Sequence, residues 1–210
     1  MIKLRPLFGA GSGSGLGPGQ ALGAVLCAVL LLPPVQRATE SSMTLQMLVQ
    51  YPALLAAGAL LLGPVPRRWQ QGLQRCNELG VAGLLLCALT MAVLMVPRVL
   101  DLALLDWRVE GLKVLALTCS GAALRLSWPL AGTVVQAFFL GNVLPMMAVV
   151  GTLYQESTIR LCNAYLLDDQ QTLGTALVWA AAAVFAWWLL DLGLKNRSLA
   201  RRVRQRTGTR

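Results

Sequence analysis

The side chains best suited to chemistry in this sequence are sulfurs, and their spacing is regular. Met43, Gln46, Met47 and Gln50 follow the i, i+3, i+4, i+7 series that shares one helical face. Cys87, Met91 and Met95 are spaced four apart, and Asn142 and Met146 repeat that spacing beside Pro145. That proline lacks an N–H, so it frees the carbonyl one turn back at Gly141. A thioether is a poor ligand for hard cations and a suitable one for Cu(I), which also accepts thiolate. The expected metal residues are therefore Met43, Met47, Met91, Met95, Met146 and Cys162, with Gln46 and Asn142 orienting or completing the site. The alternative stays open: methionine is common filler in helix bundles. The amides would then serve only as interhelical hydrogen bonds, each worth about 0.6 kcal/mol.

Other chemistry is narrowed by absence. The chain has no histidine, which removes His-ligated haem, classical zinc sites, Ser-His-Asp and Cys-His catalysis and any imidazole proton shuttle. With nearly all acids in loops, no general acid–base constellation is visible and an enzyme is not expected. The N-terminal glycines occupy only odd positions from Gly9 to Gly19, and a G-x-G-x-x-G fingerprint needs an offset of three. They read as a flexible leader. Of the five cysteines, only Cys162 falls in an expected outer loop, so no disulfide framework is implied. Apart from copper, no cofactor is expected.

The elements that must position these sulfurs follow from composition. Of 210 residues, 56% are hydrophobic and 13% charged, against about 25% charged in ordinary soluble domains. Such a chain belongs in lipid. A transmembrane helix needs roughly 20 apolar residues, and six stretches qualify, at about 17–33, 43–63, 79–97, 111–127, 131–154 and 172–192. The fold class expected is all-α: a polytopic membrane helix bundle behind a leader at 1–16, with a basic tail at 193–210. Residues 1–38 have a second reading as a signal peptide, disfavoured because no small-residue cleavage pattern follows Pro33-Pro34. Lys113 and Arg125, at the two ends of the fourth stretch, are expected to snorkel to an interface. No repeat is visible at the period of a solenoid or an inverted repeat.

Charge sets the orientation. With the N-terminus inside, the inner segments hold Lys3, Arg5, Arg67, Arg68, Arg75, Arg125 and the seven basic residues after position 194, which is 13 of the 18 Lys and Arg. That asymmetry places both termini in the cytoplasm. The net charge of +9 is concentrated in the tail and does not indicate nucleic acid. Segment 97–110 suits a short helix lying in the interface. In segment 155–171, Asp168 and Asp169 stand at the start of the last span, where a carboxylate opposes the positive helix end. They are expected to cap the helix, or to form a hard-ligand site or a docking surface.

Two stretches carry a family resemblance. Asp169-Gln170-Gln171-Thr172-Leu173-Gly174, running into an apolar span with Trp179, resembles a helix start in the polytopic cytochrome c oxidase assembly factors linked to copper delivery. Met43 to Gly58, where a methionine-bearing turn runs into Pro52 and a small-residue stretch, is similar to that family's outer helix start. The family places His where this chain has Ser42 and Gln46, which leaves sulfur as the ligand type. The resemblance implies a multi-pass protein of the bacterial inner membrane that assists assembly or copper supply of a copper-containing membrane enzyme. The alternative is a non-catalytic accessory subunit of a larger membrane complex. Either reading gives lipid and other integral membrane subunits as partners. A small-solute transporter is disfavoured because no span carries a paired acid and base near mid-membrane.

Overall fold

The computed structural model describes residues 17–63, 77, 79–161 and 165–207. The stretch 1–16 and Cys162 lie outside the described residues. Among those described there are eight helices and no strand: α1 Pro18–Leu30, α2 Pro33–Glu40, α3 Met43–Leu61, α4 Val81–Leu94, α5 Pro97–Leu105, α6 Trp107–Ser127, α7 Thr133–Glu156 and α8 Leu167–Thr207. By length and composition α3, α7 and the part of α8 up to Leu194 can cross a membrane; the number is five if α1 with α2 and α4 with α5 each form one bent span. The expected fourth span, 111–127, lies inside α6. That helix carries Arg108, Glu110, Lys113 and Arg125 and is not among the helices apolar enough to qualify. Helix α8 continues without a break through the basic stretch as far as Thr207.

Prolines set the bends. Leu32 and Val96 adopt the extended backbone that a following proline enforces, and Pro33 and Pro97 then open α2 and α5, where a missing N–H costs nothing. The chain turns by 70° between α1 and α2 and by 78° between α4 and α5. Segment 97–110 does begin with a short helix, α5, as expected.

The two bent pairs belong to a duplication that the sequence hides. Gly17 and Gly80, Pro34 and Pro97, Leu54 and Leu117, and Gly58 and Gly121 all recur at the separation of 63 residues that also relates the hydrogen-bonded Gln50 and Lys113. Each copy is a helix, a proline bend, a short helix and a longer helix. In both copies the first helix packs on the third: α1 on α3, and α4 on α6. The copies meet where α3 packs on α6. A Cβ added to Gly58 would collide with the Thr118 carbonyl, and one added to Gly121 with the carbonyl of Leu55, its counterpart at the same separation. A contact in which i meets j and j meets i is the signature of a two-fold axis. The Gln50–Lys113 and Ala59–Arg125 contacts advance together along both helices, so α3 and α6 run parallel and both proline bends lie at one end. The buried stripes match as well: Gln50, Leu54, Ala57 and Gly58 are buried in the first copy, and Lys113, Leu117, Ser120 and Gly121 at the same separation in the second.

Side-chain bonds fix α4 to α6. The Ser120 hydroxyl donates to that of Thr90 at 2.9 Å, and the Asn77 amide donates to the Ser127 hydroxyl at 2.8 Å while accepting from the Gly83 N–H. These elements form one unit, ending at Phe139. The second unit, from Leu140, contains the rest of α7 and α8. There Gly151 and Gly174 meet closely, each Cβ position falling within 2.7 Å of the other's carbonyl. Gln170 ties this pair together, donating to the Tyr154 carbonyl at 3.3 Å and accepting from the Leu161 N–H at 2.9 Å.

Candidate functional site

The first turn of α6 begins the site. Asp106 caps the helix, its carboxylate accepting from the Arg108 N–H at 2.9 Å. Glu110 and Lys113 then fall at i, i+3, the spacing that joins an acid and a base on one helical face. The Lys113 ammonium lies 2.6 Å from a Glu110 carboxylate oxygen and 3.7 Å from one of Glu40, the last residue of α2. It donates to the Gln50 amide oxygen at 3.4 Å and sits 5.9 Å from the centre of the Tyr51 ring. Lys113 is 2% exposed. It does not snorkel: the ion pairs, the amide and the ring take the place of water. Arg125, at the other end of the expected span, keeps an exposed position and donates to the Ala59 carbonyl.

Helix α3 supplies the other wall, and its winding is altered there. Residues 46–50 form a π turn in which the Tyr51 N–H reaches back to the Gln46 carbonyl. Pro52 accounts for this: it has no N–H to donate, and its ring crowds the carbonyl four residues back at Leu48. Widening by one residue relieves that crowding, and such single π turns are frequent at functional sites. The Met43, Gln46, Met47 and Gln50 stripe is buried along its whole length, Met43 and Gln46 completely. Through Gln50 that stripe touches the charged cluster.

The cluster sets two acids beside one base. Two carboxylates share one ammonium, and burial pushes the Glu110 carboxyl above the ordinary carboxylate range, chiefly by desolvation and further by Glu40, against the lowering effect of Lys113. Gln50 and Tyr51 contribute dipoles and no compensating charge.

The remaining expected residues are distributed as follows. Met91 and Met95 are half-buried toward the bent end of α4, one and two turns beyond the buried Cys87. Their helix and α3 both pack on α6, so both sulfur stripes belong to the first unit. Met146, half-buried, and Asn142, exposed, lie on α7 in the second unit. Asp168 and Asp169 occupy the first turn of α8, where the helix end favours a negative charge. No group of three His, Cys, Asp or Glu side chains suited to a metal occurs among the described residues. A soft site would instead use thioethers, and Met43 and Met47 present two of them on one buried turn.

The sequence reading missed Lys113, Glu110, Glu40 and the role of Gln50. Two signals were present: the Glu-x-x-Lys spacing at the head of a helix, and the 63-residue separation that sets Gln50 against Lys113. No known protein family, curated protein or solved structure matches this chain.

Proposed function

We propose that this chain is a six-span protein of the bacterial inner membrane, with both termini in the cytoplasm, that assists assembly or copper supply of a copper-containing membrane oxidase without catalysis of its own. The observation that supports this reading is the burial of Met43, Gln46, Met47 and Gln50 as one face of a π-wound turn. Two thioethers with amide oxygens beside them suit Cu(I) and exclude hard cations. When bound there, copper would be held for transfer, and the residues that hold it would be Met43 and Met47, with Gln46 fixing the turn. The resemblance of 43–58 and 169–179 to copper-linked oxidase assembly factors supports the same reading.

A second reading, a non-catalytic accessory subunit, is favoured by the junction of α5 and α6, where Leu105 and Trp107 are 84% and 79% exposed. Purification in mild detergent, with elemental analysis and mass spectrometry of accompanying chains, separates the two. Copper on the chain is the result expected here. A stoichiometric complex free of metal would establish the accessory role instead. Reporter fusions at Thr39 and Glu156 are expected to read periplasmic, and those at Gln71 and Arg210 cytoplasmic; a periplasmic signal at Arg210 would overturn the topology.

A further inference from the structure

Helix α8 carries the densest run of charge in the chain, and the copper reading makes no use of it. Its apolar part, Leu167–Leu194, is long and apolar enough to cross a membrane, and the helix runs on without a break to Thr207. In that continuation stand Lys195, Arg197, Arg201, Arg202, Arg204 and Arg206, and no acid follows Asp191. The other end of the same helix is acidic, with Asp168 and Asp169 in its first turn. The two ends of α8 therefore carry opposite charge.

Helical register narrows what the basic end can meet. At 3.6 residues per turn, positions 195, 202 and 206 follow one face of the helix and 197, 201 and 204 follow the opposite face. A helix that lies in an interface sets a basic face against an apolar one. This stretch has basic positions on both faces, and it continues the span with no break at which it could fold down onto the surface. A flat acidic surface on a partner protein would meet one face and leave the other unused. Headgroups surrounding a span meet every face at once.

Distance favours the same occupant. From position 195 to position 206 a helix rises about 16.5 Å. The headgroup layer beyond the hydrocarbon is about 5–8 Å deep, and its charge is felt for about 8 Å further at physiological salt. With Leu194 at the hydrocarbon edge, the layer and its field reach along nearly the whole basic stretch. Each Lys or Arg held there favours an anionic surface by about fivefold.

We infer that residues 195–206 of α8 bind anionic phospholipid headgroups, in one leaflet of the membrane that this helix is built to cross. The preference rests on the number of charges and not on a shaped pocket. It is independent of copper and of which side of the membrane the stretch faces.

The test uses the full-length chain in nanodiscs of phosphatidylglycerol and phosphatidylcholine in equal parts, extracted with mild detergent, with the retained lipid measured by mass spectrometry. The wild type is expected to retain phosphatidylglycerol over phosphatidylcholine by about fivefold or more at low salt, and to lose most of that preference at high salt. Replacing all six basic residues by Gln, a good helix former, should lower the ratio by about fivefold or more. Replacing the five arginines by Lys should leave it unchanged, because the charges remain. A wild-type ratio near one, or one indifferent to salt, overturns the inference whether or not the variants fold. So does a folded Gln variant with the wild-type ratio, or a folded Lys variant that loses it, which would indicate the guanidinium geometry of a protein or nucleic-acid site. Retardation of duplex DNA by the wild type in pure phosphatidylcholine discs, with no lipid preference in the mixed ones, would assign the stretch to nucleic acid instead.

Discussion

Replacing Lys113 by Met removes the ammonium that the two carboxyl groups share while keeping a side chain of similar reach. Its contacts at 2.6 and 3.7 Å are lost, and two acids remain at the junction of the repeats. Breaking a buried pair by removing one partner costs about 3–5 kcal/mol. The acids have an escape, since the second carboxyl can also take a proton, and that limits the loss. At pH 7, protonating a carboxyl with an ordinary pKa near 4.3 costs about 3.7 kcal/mol, at about 1.4 per unit. The same step costs about 1 kcal/mol at pH 5. The sign follows: an acid whose folded pKa is raised stabilises least at high pH, so the deficit of Lys113→Met grows as pH rises above about 4.3 and shrinks as pH falls toward it. Denaturant titration in mild detergent at pH 5 and pH 7 reads both values. A triple variant, Glu40→Gln, Glu110→Gln and Lys113→Met, should regain most of the lost stability at pH 7, because neutral groups replace the whole ionic set. A Lys113→Met protein as stable as wild type at pH 7, or equally destabilised at both pH values, would refute the reasoning.

The duplication makes a paired prediction: Gly58→Val and Gly121→Val should each destabilise the fold by roughly 1–3 kcal/mol, since each drives a side chain into the carbonyl of the opposite helix. Gly141→Ala, whose added Cβ meets nothing within 4 Å, should be neutral or stabilising by up to about 1 kcal/mol; thermal melts of the three variants check the contrast. Asp169→Asn should cost about 1 kcal/mol or less if the residue only favours the helix start, as read by the same melts. Normal stability with impaired assembly of the proposed partner oxidase would show that the segment also docks.

The all-helical class, the proline punctuation and the boundaries of most apolar stretches were legible because composition and helix period carry them. Pro33 and Pro97 end one helix and begin another wherever they occur, so α2 and α5 fall where the sequence marks them. The alignment of Met43, Gln46, Met47 and Gln50 was legible for the same reason. Lys113 was not, because a lysine near a helix end has the same local pattern whether it reaches water or a buried partner. Glu40 and Gln50, 73 and 63 residues away in sequence, decide between them, and only the packing of α3 on α6, with α2 against the start of α3, brings them close. The duplication was hidden for a related reason: outward-facing positions in the two copies need only be apolar. What persists is the glycine pair, the proline and the buried stripe at the contact. The π turn follows from Pro52, although its effect on which side chains face Lys113 depends on the neighbouring helix.

The reading of the Met43 and Met47 turn as a Cu(I) site is tested most directly by titrating the purified full-length chain in mild detergent with Cu(I) against a competing Cu(I) indicator. The wild type should withdraw copper from the indicator, Met147→Leu should do the same, and the double variant Met43→Leu, Met47→Leu should fail to do so while keeping the wild-type melting behaviour. A wild-type chain that takes no Cu(I), or a folded double variant that takes it as well as the wild type, would contradict the account.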